Sequence, residues 1–206
     1  CRHCLPALFA AATLAMAQPE VVPMRPTSPK PGETVLKVDF ETAAGRRQWS
    51  KLDCATWVQQ PDRGTCLKVT VAKGEPGEGT MISLPLDLSR YGNCQIQFRC
   101  LAKAKNVSKP TKTYLGVKCM LYATSPTSGP IWVNQSNVHG TFDWKELTFV
   151  ATIPKDVSKA ALQLGLQDCN GTVYFDDLQA TVVRVMPTRP KPDPNAPPAF
   201  TGHPGI

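Results

Sequence analysis

Histidine is scarce in this chain, with three in 206 residues. His3 and His203 lie near the two ends, which leaves His139 alone between them. A lone imidazole lacks the nucleophile and orienting carboxylate of a hydrolase triad. The sequence has no GxSxG, no HExxH and no phosphate-cradling GxxxxGKS or GxxxxGKT, so the common hydrolase, zinc-protease and nucleotide chemistries are excluded. Carboxylates are sparse too. Glycoside hydrolysis needs two of them opposed across one bond. Glu75 and Glu78 sit in a glycine- and proline-rich loop, and Glu146 is an isolated surface position on an alternating run. The reading is therefore of a chain without a catalytic constellation.

Other absences narrow the class further. The net charge is +7, yet no run of four or more lysines or arginines occurs, so a nucleic-acid footprint is missing. Lys103, Lys105, Lys109 and Lys112 are the nearest thing to a cluster and read as a solvated loop. No apolar stretch is long enough to cross a bilayer. The one that comes nearest, from Leu5 to Met16, follows Arg2 and His3 and precedes the small-x-small triplet Ala15-Met16-Ala17. Residues 1–17 are thus expected to be a truncated export signal and the protein to be secreted. Beyond residue 4 there is no CxxC pair to hold zinc.

Export makes the remaining cysteines, Cys54, Cys66, Cys94, Cys100, Cys119 and Cys169, candidates for disulfides. Cys94 and Cys100 share one alternating run, ~20 Å apart at ~3.3 Å per residue, and cannot pair with each other. Cys54 with Cys66 is the expected local bridge. Cys94, Cys100 and Cys119 share the parity of apolar neighbours, which also suits small buried hydrophobes.

Twenty prolines are present, and they crowd at the ends. Residues 18–34 read as a proline-rich lead. Residues 186–206 read as a stiff proline-rich linker to a missing downstream domain. Between them, over 35–185, the pattern is all-β. Alternating or strand-rich runs cover 35–41, 56–60, 65–72, 80–88, 94–100, 114–124, 131–138, 144–153, 160–167 and 172–183. Turn sequences such as Pro61-Asp62-Arg63-Gly64 separate them, and no stretch carries a capped helical period. Such spacing predicts an antiparallel β-sandwich of jelly-roll type, apolar within and wet outside.

Three motifs in order resemble carbohydrate-binding modules of the family 4/9 type, with their galactose-binding-like jelly roll. Val38-Asp39-Phe40-Glu41 with Trp49 soon after resembles the family's opening strand. Residues 141–154, with Trp144 leading an alternating run to Pro154, resemble a late strand. Residues 171–178, aromatic-rich and carrying the Asp176-Asp177 pair, resemble the closing strand. The resemblance implies a non-catalytic N-terminal module of a glycoside hydrolase, with Trp49 and Trp144 packed inside. It also implies a structural calcium ion where first and last strands meet, held by Glu41 and Asp176 with Asp39 or Asp177 nearby. Several oxygens of that kind suit calcium.

A sugar-binding surface needs exposed aromatic faces together with planar polar groups. Outward parity on the middle strands offers Trp132, Tyr122, Gln97, Arg99, Asn134 and Gln167, with Trp57 as a further stacking candidate. The expectation is a monomeric module that holds a covalently linked hydrolase against a β-glucan or xylan-like polysaccharide. The rival readings are a sandwich spacer that binds no sugar, and a jelly-roll polysaccharide-degrading enzyme.

Overall fold

A computed structural model describes residues 28–50, 53–74 and 80–187. The expected leader, most of the proline-rich lead, the glycine- and proline-rich stretch with Glu75 and Glu78, and nearly all of the expected linker lie outside the described residues. Ten strands form where the sequence alternates: β1 Thr34–Val38, β2 Ala55–Gln60, β3 Gly64–Val71, β4 Met81–Leu86, β5 Cys94–Val107, β6 Gly116–Ser125, β7 Gly129–Asn134, β8 Gly140–Thr152, β9 Lys159–Gln167 and β10 Gly171–Val185.

Two details differ from the sequence reading. A single helical turn, α1 Ala43–Arg46, is capped by Thr42, whose hydroxyl accepts from the Gly45 amide at 3.1 Å. Strand β5 runs on to Val107, so Lys103 and Lys105 are strand residues and not part of a loop.

The strands make two antiparallel sheets, one ordered β2-β3-β10-β5-β8 and the other β4-β9-β6-β7. β1 joins the first sheet through β10. Ile96, Phe98, Ala102, Val173, Phe175 and Leu147 from the larger sheet meet Val117, Leu121, Leu162, Leu164 and Ile82 from the smaller one in a continuous core. Each large side chain so buried contributes roughly 1.5–3 kcal/mol. Trp49 lies in this core with its ring edge-on to Phe40 at 5.8 Å, as the resemblance implied.

Trp144 does not. It is half-buried outside the core, and the Arg63 guanidinium stands 5.4 Å from its ring centre. Leu147, Phe149 and Ala151 point inward. Alternation counted back from them turns Trp144 to the outer face.

The expected Cys54–Cys66 bridge is absent, and both thiols are free. Register explains why. Cys66 lies opposite Val58, whereas the Cys54 carbonyl accepts from the Thr70 amide, four residues further along β3. That separation is ~13 Å, beyond disulfide reach.

Candidate functional site

The sandwich has two outer faces, and the residues proposed to contact sugar divide between them. Trp132, Tyr122 and Asn134 stand on the outer face of the four-stranded sheet. There β6 and β7 set Tyr122 opposite Trp132 and Met120 opposite Asn134, while β9 sets Gln163 beside Met120. Gln167 ends β9 opposite Gly116. Gln97 and Arg99 belong to β5 in the other sheet and face the opposite side of the molecule. Arg99 is also occupied: its Nε donates to Gln179 Oε1 at 2.9 Å, and Glu146 lies 3.6 Å from another of its nitrogens. Neither belongs to a site containing Trp132.

Ile131 and Val133 pack on the core, so Trp132 between them must point outward, and it is 59 % exposed. Its ring lies against Tyr122, with centroids 5.6 Å apart and planes at 38°. The pair forms a rigid aromatic platform on a wet sheet face, an arrangement that marks binding surfaces.

The segment between β5 and β6 bounds this face. The Tyr114 backbone carbonyl accepts from Lys118 Nζ and from Asn134 Nδ2, the latter at 3.4 Å. Asn134 Nδ2 also donates to the Gln135 carbonyl at 2.7 Å, so its amide serves as a latch. The Tyr114 ring is left 52 % exposed, with Lys112 Nζ 5.7 Å from its centre. Lys118 is almost wholly buried, and burial pulls its ammonium down to about 8. Tyr114, Lys118, Met120 and Gln163 are outward by parity in the sequence. What parity does not reveal is the crossing segment that brings Tyr114 to them.

Trp57 is elsewhere. It is half-buried on the β2 edge, tilted onto Phe40 at 5.1 Å. It lines a hollow of about 700 Å³ with Trp49, Arg46, Arg47 and Asp53. Both tryptophans there are packed on Phe40. Trp132 presents far more ring to solvent than either of them.

The acidic residues do converge. β10 is paired along one side by β3 as far as Phe175 and by β1 from Leu178. Between the two lie Asp176 and Asp177, the latter with a positive φ of 47°. Asp39, Glu41, Arg63, Asp176 and Asp177 line one hollow at this junction. Glu41 accepts from the Thr65 amide at 2.9 Å and its hydroxyl at 3.2 Å. Asp177 pairs with Arg63 at 3.0 Å. Asp176 is buried and accepts from the Asp177 amide at 2.8 Å. Burial pushes its carboxyl up to about 6, and pushes the adjoining Cys66 thiol up to about 12 with help from the Asp176 charge.

A buried carboxylate held up in this way is in an environment short of positive charge, and the donor set is all oxygen, as calcium requires. Among the described residues no three ligands are already gathered at ion-binding spacing. Arg63 holds the Asp177 carboxylate and Thr65 holds that of Glu41. The residues therefore fit calcium in kind, with Asp177 needing to leave Arg63 to complete a shell.

Gly64 is required here. Its φ is +76°, and a Cβ would overlap Glu41 Oε1. Gly64→Ala is expected to expel the Glu41 carboxylate from Thr65 and to destabilise the fold by about 1–2 kcal/mol, read by urea denaturation.

No family model matches the sequence, and no curated protein does either. Solved structures do match the fold. The CBM22-1 xylan-binding domain from Paenibacillus barcinonensis superposes with a TM-score of 0.55 at 14% identity, over 76% of this chain and 99% of that one. The tandem CBM22-1–CBM22-2 domain of the same organism gives 0.58 at 17%, over 80% of this chain and 49% of that one. The Clostridium thermocellum endo-1,4-beta-D-xylanase 10B fragment of CBM22-1 and GH10 modules, complexed with xylohexaose, gives 0.52 at 15%, over 72% and 28%. The likeness establishes the jelly-roll sandwich as the fold.

Proposed function

We propose that this chain is a non-catalytic carbohydrate-binding module that grips a neutral xylan-like or β-glucan chain on its four-stranded face. The observation that carries the reading is the exposed Trp132 ring set against Tyr122 on a wet sheet. A sugar ring stacks its C–H face on the indole, and Tyr114 across the face supplies a second aromatic contact. Gln167 supplies an amide for the hydroxyls and Gln163, whose Nε2 donates to Ser83 Oγ at 3.3 Å, an amide oxygen, while Asn134 holds the crossing segment in place. Support for the ligand class comes from fold neighbours described as xylan-binding and as complexed with xylohexaose. Weak binding of this kind would act by raising the local concentration of a linked glycoside hydrolase on its polymer, in a secreted protein.

Calcium belongs to the same proposal, held by Asp176, Glu41 and Asp177, with Asp39 nearby. When bound it would neutralise the buried Asp176 charge and tie β1, β3 and β10 together, and it takes no part in contacting sugar.

The test is affinity electrophoresis of the chain, with calcium present, through gels containing xylan, β-glucan, cellulose derivatives, mannan or pectin. Retardation by xylan or β-glucan is expected. A folded sample that none of these polymers retards would overturn the reading.

A further inference from the structure

Strand pairing gathers three lysines around one tyrosine on the outer face of the larger sheet, on the side of the molecule away from Trp132. Tyr174 of β10 lies opposite Lys68 of β3 on one flank and Lys103 of β5 on the other. Two residues along, Thr172 lies between Thr70 and Lys105, and the two threonine hydroxyls are 3.1 Å apart. All six point outward, because Leu67, Val69, Val173, Phe175, Ala102 and Ala104 between them are buried. Paired strands stand ~4.8 Å apart, so Lys68 and Lys103 leave the backbone ~10 Å from each other, and Lys105 leaves it ~7 Å from Lys103. Their flexible four-carbon stems let all three ammonium groups reach over the ring.

Like charges this close repel unless carboxylates match them. Lys103 is matched by Asp143 at 2.9 Å. Among the described residues, neither Lys68 nor Lys105 has a carboxylate at ion-pair distance, and no cation covers the Tyr174 ring. The strip therefore keeps two unmatched positive charges beside a half-buried aromatic ring.

We propose that this strip is a second binding site, for a linear polysaccharide that carries carboxylate groups. The Tyr174 ring offers a face for a sugar's C–H surface, the threonines offer hydroxyls, and Lys68 and Lys105 offer charge to the acid groups. Nucleic acid fits less well, since a typical footprint neutralises roughly six to ten phosphates and three lysines fall short of it. The proposal stands whether or not the four-stranded face binds neutral sugar.

The experiment is titration calorimetry of the full chain with polygalacturonate, in calcium-free buffer at low and at high salt, with a thermal melt of each sample to show that it is folded. Binding is expected at low salt and is expected to weaken at least tenfold at about 0.5 M sodium chloride, where screening acts within ~5 Å. Lys68→Gln together with Lys105→Gln is expected to weaken it about tenfold, and Tyr174→Ala about fivefold. Lys30→Gln together with Lys155→Gln removes the same charge at the other end of the sandwich, near Val182 and Gln95. That pair is expected to bind within about twofold of the parent, because both lysines lie more than a screening length from the strip. A parent that does not bind polygalacturonate would overturn the proposal. Equal losses in the two double variants would overturn it too, by reducing the effect to net charge. So would loss of polygalacturonate binding in Trp132→Ala, which would put the acidic sugar on the four-stranded face, or tighter binding of single-stranded DNA than of polygalacturonate.

Discussion

Trp132→Ala is expected to weaken binding to the retarding polysaccharide by about 30-fold while lowering the melting temperature by only about 3 °C. The two effects separate because the indole is 59 % exposed. Its removal leaves no cavity in the core. The fold loses one aromatic pair with Tyr122, worth about 1 kcal/mol. A sugar loses its stacking platform. A central aromatic contact of that kind is typically worth about 2 kcal/mol, which is the 30-fold change. Titration calorimetry with an oligosaccharide of the retarding polymer measures the first effect and a thermal melt the second. Arg99→Ala supplies the contrast. Arg99 is on the opposite outer face and bound to Gln179, so its loss is expected to leave affinity unchanged. If Trp132→Ala bound as tightly as the parent, the hollow beside Trp57 would become the site to test.

Arg99 also shows where sequence reading stops. Alternation along β5 correctly turns Gln97 and Arg99 away from the core. A sandwich has two wet faces, however, and parity does not say which one a strand supplies. That is fixed by strand pairing: β5 between β10 and β8, β6 between β9 and β7. The ten strands were legible because each buries one side. The extension of β5 past Cys100 was not, because its inward residues there, Ala102 and Ala104, are small, while Leu101, Lys103 and Lys105 alternate outward. Trp144 gives the reverse lesson. Parity from Leu147 sends it outward, and only the family likeness of its motif pointed inward. The meeting of the four acidic residues was legible in the sequence as a matter of place. Asp39, Glu41, Asp176 and Asp177 come to one hollow because β1 and β10 pair antiparallel, bringing the end of one to the middle of the other.

That cluster carries the other large expected effect, one that changes sign with calcium. In calcium-free buffer at pH 7.5, Asp176→Asn is expected to stabilise the protein. Asp176 is 2 % exposed, and burial raises its carboxyl from 3.8 in the unfolded chain to about 6 in the fold. Between those values the folded state binds more protons than the unfolded state, so stability falls as pH rises from about 4 to 6. Above that window the full penalty applies, on the order of 3 kcal/mol for a shift of this size. Asparagine removes the charge and keeps an oxygen to accept from the Asp177 amide. The variant should therefore melt roughly 5–10 °C above the parent at pH 7.5, and close to it at pH 4. Added calcium should reverse the order. The parent gains about 4.1 kcal/mol at a thousandfold excess over its dissociation constant, which exceeds the penalty, and the variant, short of a charged ligand, gains little. Melts with calcium and with chelator, at both pH values, read all of this. Equal calcium shifts in parent and variant would remove the ion from this junction. A variant less stable than its parent without calcium would mean that Arg63, 3.0 Å from Asp177, already supplies the charge that the buried carboxylate needs.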